Sequence, residues 1–185
     1  DRSAVVRMYI AAAFQRIDEE KRWPIAEALM GNEKDNDDHN IPKFIWFAFE
    51  PLVTSDPVRA IEFAKKSKIN LVSEYIARRL VDADELNILA SGIQSNSNGR
   101  SSIMKGMLDG MEGLSDIEAP ENWDEVYASL KEDEGVAKMA TEIAQQFGDI
   151  EATMQLISIL NNVDESIEAR NAATIPLYCH TPPLT

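Results

Sequence analysis

The sequence predicts an all-α fold, an α-α superhelix of about five to six antiparallel helix pairs. Three observations predict it. Apolar residues recur every three or four positions along almost the whole chain, helix-start chemistry separates the runs, and no segment alternates with a period of two.

Taken in order, Val6, Ile10, Ala13, Phe14 and Ile17 share one helical face. Trp23, Ala26, Leu29 and Met30 form the next stripe, and Ile41, Ile45, Ala48, Phe49 and Leu52 a third. Val58, Ile61, Phe63 and Ala64 follow, then Val72, Tyr75, Ile76, Arg79 and Leu80, then Leu86, Leu89 and Ile93. Ile103, Met107, Met111 and Leu114 continue the series through Val126, Tyr127 and Leu130. The last stripes are Val136, Met139, Ala140, Ile143 and Phe147; Met154, Ile157 and Leu160; and Ile167, Ala169 and Ala173. This makes about eleven helices of roughly ten to sixteen residues. The second helix of each pair is expected to begin near Arg2, Asn40, Ile69, Arg100, Glu134 and Asp164, a step of roughly thirty residues.

The breaks read as caps. Asp56-Pro57 places a carboxylate before a proline at the first helical position, where the missing donor costs nothing. Asp84, Asp149 and Asp164 are expected to cap in the same way, and Asn122 with Glu125 resembles a capping box. Asn98-Gly99 and Gly148-Asp149 mark helix exits. Gly106, Gly110 and Gly113 fall three or four apart on one helix, where close packing must offset their helix-weakening effect. Residues 31–40 and 115–122 read as polar inter-helix loops. We expect a helical repeat domain over 1–177 and a poorly ordered tail over 178–185.

Composition narrows function. The 185 residues carry a formal charge of −14, a pI near 4.5, 44% apolar and 27% charged residues. That charge repels phosphate backbones and acidic headgroups, so no nucleic acid and no direct membrane insertion are expected. No stretch approaches the roughly 20 apolar residues of a membrane span. The one cysteine, Cys179, has no partner for an internal disulfide. The chain opens inside an apparent helix at Asp1, so it reads as a fragment, and the lack of a signal carries little weight.

Two segments resemble HEAT repeats: Asp1-Arg-Ser-Ala-Val-Val-Arg7 with Ala11-Ala-Ala-Phe14, and Asp164-Glu-Ser-Ile-Glu-Ala-Arg170 with Asn171-Ala-Ala173. That resemblance implies an aspartate and an arginine tying neighbouring repeats together. A wider match runs through Arg22-Trp23-Pro24-Ile25-Ala26-Glu27-Ala28-Leu29, Asp37-Asp38-His39-Asn40-Ile41-Pro42, Trp46 and Glu50-Pro51-Leu52. It resembles the HEAT-like region of large planctomycete and verrucomicrobial haem-binding proteins, the multidomain "membrane-bound dehydrogenase" type with a c-type cytochrome. Ile76-Ala77-Arg78-Arg79-Leu80 and Trp123-Asp124-Glu125-Val126-Tyr127 fit the same pattern. The resemblance implies a propeller and a haem c domain elsewhere in the parent, and a periplasmic or cell-envelope location. This chain has no Cys-x-x-Cys-His; Pro176-Leu177-Tyr178-Cys179-His180 lacks the first cysteine. No cofactor is therefore expected in this segment.

The residues offer no catalytic or metal constellation. Asp35-x-Asp37 fails as a calcium loop because its sixth position is Asn40 and its twelfth Trp46. Asp38 or Asn40 is expected to cap the next helix, and His39 to be buried or hydrogen-bonded in the loop. Phe44, Trp46, Phe47 and Phe49 crowd one helix, so Phe44 and Phe47 must point partly away from its stripe. Trp46 and Glu50 lie four apart and share a face. His39, Trp46 and Glu50 are the candidate interaction surface, open to neighbouring domains of the parent or to a partner protein. The expected function is a non-catalytic scaffold or interaction module. The alternative is one wall of an oxidoreductase active site formed with a neighbouring propeller, to which the Asp-Asp-His block would contribute.

Overall fold

A computed structural model describes residues 2–95, 99–114, 117–148 and 150–179, the side chains of 150–153, 155 and 175–179 excepted. Among the described residues there are eleven α-helices and no strand. Two compact units divide the chain, Asp1–Gly110 and Met111–Thr185.

The first unit holds α1 (Ala4–Phe14), α2 (Glu19–Met30), α3 (Ile41–Ser55), α4 (Pro57–Lys66), α5 (Asn70–Asp82), α6 (Leu86–Gln94) and all but the last residue of α7 (Arg100–Met111). Along the odd helices α1 packs on α3 and α3 on α5. Even helices do likewise, α2 on α4 and α4 on α6, while α1 with α2, α3 with α4 and α5 with α6 also touch. The apolar stripes explain this. Ile45, Phe49 and Leu52 on α3 and Val72, Ile76 and Leu80 on α5 are all essentially buried, each contributing on the order of 1.5–3 kcal/mol. An aromatic cluster fills the even side: Trp23 lies edge-on to Phe49 at 5.4 Å and to Phe63 at 5.1 Å, with the Arg59 guanidinium 4.3 Å above its ring.

Glycine sets the approach of α7 to α5. A Cβ at Gly106 would stand 2.0 Å from the Glu74 carbonyl oxygen, and one at Gly110 would stand 2.9 Å from the Val81 Cβ. Gly113, expected on the same helix, lies beyond its end, with φ of +79°. Its role is to turn the chain in a conformation that L side chains avoid.

The second unit carries α8 (Trp123–Leu130), α9 (Ala137–Gln146), α10 (Ile150–Asn161) and α11 (Ile167–Cys179). Here α8 packs on α9, α9 on α10, and α11 on both α9 and α10. Trp123 stacks on Tyr127 and meets Phe147 edge-on at 4.9 Å. Helix α11 continues through Cys179, so Tyr178 lies within it. His180 and the Pro-rich end lie outside the described residues.

The caps correct several expectations. Asp56 caps α4 as the sequence predicts, accepting from Arg59 N at 3.0 Å. Asp84 does not open α6. It sits at φ +61°, with Asp84 N donating to the Val81 carbonyl and Glu85 N to that of Leu80, so it closes α5 instead. Asp164 is replaced as the α11 cap by Ser166, whose hydroxyl accepts from Ala169 N at 3.0 Å. The Asn122 side chain makes no cap bond, so the Asn122–Glu125 box does not form. Gly148, at φ +76°, ends α9 as expected. Asp149 and Asn98 lie outside the described residues.

Candidate functional site

The loop between α2 and α3 spends its polar side chains on structure. Asp35 ends a 3-10 turn, Glu33–Asp35, and is 1% exposed. Arg7 reaches it from α1, Nε donating to Oδ2 at 2.5 Å and the second nitrogen to Oδ1 at 2.6 Å. A fork of this kind satisfies both carboxylate oxygens and is the geometry that holds a buried charge pair. The Asp35 hydrogen bond, opposed by desolvation, holds the Arg7 guanidinium above its ordinary range. Arg7 shares its buried face with Ala11 and Phe14, whereas Val6, Ile10 and Ala13 of the predicted stripe are exposed, so spacing along α1 did not single it out. The HEAT resemblance implied an aspartate–arginine tie, and Arg7 takes Asp35 as its partner, 28 residues on.

Asp38 is the cap of α3. Its Oδ1 accepts from Asn40 N at 2.8 Å and Ile41 N at 2.9 Å. Those two donors hold its carboxyl below the usual range, helped by His39 and Arg7 and opposed by desolvation. Asn40 makes no side-chain cap bond. Asp37 accepts from the Asn36 amide, and the Asn36 oxygen accepts from Asn70 N at 2.8 Å, fastening the loop to the start of α5. His39 was expected to be buried or hydrogen-bonded in the loop; it is exposed.

Trp46 and Glu50 do share a face, and that face turns to α5. The Trp46 ring lies 5.3 Å from that of Tyr75, and Arg79 Nε donates to Glu50 Oε1 at 2.7 Å. Lys105 of α7 continues the row, donating to Glu74 Oε2 at 2.6 Å, which holds the ammonium above its usual range. Of the four aromatics on α3, Phe49 is buried, Trp46 and Phe44 are half-buried, and Phe47 is 61% exposed.

Two concavities stand out. One of about 620 Å³ is lined by Lys65, Lys66 and Lys68 with Glu33, Glu62 and Asn36. Lys65 is already committed to Glu62 at 2.6 Å. The other, about 560 Å³, runs between α9, α10 and α11 over Leu156, Ile159 and Ala173, with Glu142 on its wall. Burial pushes the Glu142 carboxyl up, and Lys138 at 3.9 Å pulls it only partly back. Among the described residues no three of histidine, cysteine, aspartate and glutamate gather where they could hold a metal ion. No described helix is long and apolar enough to cross a membrane. No family model, no curated protein and no solved structure matches this chain.

Proposed function

We propose that this chain is a block of an α-α superhelix of the HEAT/armadillo kind, acting as a non-catalytic scaffold that holds neighbouring domains or a partner protein. The parent, on the sequence resemblance, is a larger periplasmic or cell-envelope redox protein whose haem c lies in another domain. One observation carries the reading: the same packing step recurs, α1 to α3 to α5 along one side and α2 to α4 to α6 along the other. A stack grows by this step, because each pair buries only one side and offers the other to the next. Arg7 to Asp35, Arg79 to Glu50 and Lys105 to Glu74 each cross one such step.

The chemistry of the loop supports a scaffold rather than a reacting wall. In the Asp-Asp-His block, Asp38 is taken by helix capping and Asp37 by a loop amide. The test is His39→Ala in the whole parent protein. The scaffold reading expects turnover within about twofold of the unaltered protein; a loss of a hundredfold with folding intact contradicts it, since a general acid or base contributes about 10²–10⁴-fold.

A further inference from the structure

The second unit carries most of the chain's net charge. Residues 111–185 hold fifteen carboxylates against Lys131, Lys138 and Arg170, while residues 1–110 hold seventeen against fifteen basic side chains. Within the second unit, α9, α10 and α11 meet without filling the space between them. Leu156 and Ile159 line the gap from α10, and Ala137 of α9 with Ala169 and Ala173 of α11 add one carbon each. Ala169 and Ala173 stand four apart, so both short side chains share a face. The groove of about 560 Å³ that results is the size of a small-molecule site.

One charged group is held inside it. The Glu142 side chain is 24% exposed, against 72% for its neighbour Lys138. The Lys138 ammonium stands 3.9 Å from Glu142 Oε1, too far for a hydrogen bond. Among the described residues no other group donates to this carboxylate, and burial holds it above its ordinary range. A half-buried carboxylate short of donors, beside apolar surface, suits a cation that brings its own N–H groups.

The remaining charges on the groove are Lys131, Glu132 and Glu165, all exposed. Asp133, Glu134, Asp164 and Glu168 adjoin them in sequence. Arg170, the unit's one other basic residue, donates to the Leu160 carbonyl at 3.0 Å. Carboxylates therefore outnumber basic groups at the groove and around it.

We propose that this groove binds a small amphipathic cation, a primary alkylamine, with its chain over Leu156 and Ile159 and its ammonium on Glu142. Charge selects the occupant. An alkanoate of equal length would meet Lys131 and Lys138 only at the exposed rim, where contacts are screened, and would face three carboxylates.

The experiment titrates the whole chain with n-octylammonium chloride and, separately, with sodium octanoate. Calorimetry gives affinity, and amide chemical shifts locate the site. The variants are Glu142→Gln, which keeps shape and removes charge, and Ala169→Leu, which fills the groove. Circular dichroism checks that both keep their helix content. The proposal expects one octylammonium per chain with a dissociation constant below about 1 mM and shifts confined to α9, α10 and α11. Octanoate and the Glu142→Gln variant should each give binding weaker by about tenfold or more, and Ala169→Leu should bind at least as poorly. No saturable binding by about 10 mM overturns it. So does octanoate binding as tightly, an affinity that either variant leaves unchanged, or shifts centred elsewhere. Failure would leave the scaffold reading standing, because that reading rests on the packing step of α1 to α6.

Discussion

Arg79 on α5 donates to Glu50 on α3 at 2.7 Å, 29 positions apart in the chain. One helical turn away, Tyr75 meets Trp46. The side chains that sequence spacing marks as an outward-facing pair are therefore the two rungs that fix the register of α5 against α3. Both rungs are only part-buried, so their worth is in geometry more than in energy.

A double-mutant cycle separates the rungs. Trp46→Ala with Tyr75→Ala is expected to show a coupling of about 0.5–1.5 kcal/mol in urea unfolding. Glu50→Ala with Arg79→Ala is expected to show about 0.2–1 kcal/mol, because the side chains keep 38% and 30% exposure. Zero coupling at both would mean that the two helices do not lock at this face.

Arg7 and Asp35 behave differently because water does not reach them. Arg7→Met alone strands a buried carboxylate, and melting is expected to fall by about 10 °C. Adding Asp35→Leu removes the stranded charge and is expected to restore most of that loss. A single Arg7→Met variant that melts with the unaltered chain would contradict the pairing.

Asp38 gives a pH dependence. Its folded carboxyl is lowered by the N–H groups of Asn40 and Ile41, so its contribution is complete above the unfolded value, near 3.9. That contribution is lost as pH falls through the lower, folded value. Asp38→Ala should cost about 1 kcal/mol at pH 7, with the gap to the unaltered chain closing in strong acid. Asn40→Ala, lacking a cap bond, should change stability by less than about 0.5 kcal/mol at either pH.

Gly106→Ala weighs helix propensity against packing. Alanine favours the helix by about 1 kcal/mol, yet the added carbon would meet the Glu74 backbone at 2.0–2.7 Å. Backbone cannot step aside as a side-chain tip can, so net destabilisation of about 2 kcal/mol or more is expected. A stabilised Gly106→Ala chain would place α7 further from α5 than described.

The elements were legible because burial writes itself at fixed spacing. The predicted starts at Arg2, Asn40, Ile69, Arg100, Glu134 and Asp164 meet helices beginning at Ala4, Ile41, Asn70, Arg100, Ala137 and Ile167. Pairings between helices leave no such period. Arg7 finds Asp35 through the way α1 and α3 stack, and nothing near Arg7 in the chain encodes that distance. The caps expected at Asp84 and Asp164 failed for a related reason, while Asp56 and Asp38 cap as expected. Asp84 and Ser166 both stand next to helix ends, and backbone geometry decides whether a side chain closes one helix or opens the next. The surface proposed around Trp46 and Glu50 was read from one helix alone, which could not show α5 lying across it.

Hydrogen exchange after Phe14→Ala tests the central claim most directly. Phe14 is fully buried, and its truncation should cost about 3–5 kcal/mol. If each helix pair leans chiefly on its neighbours, protection should fall in α1, α2 and α3 while α8 and α9 keep theirs. An equal loss of protection through all the helices would mean one shared core, and would contradict the stack.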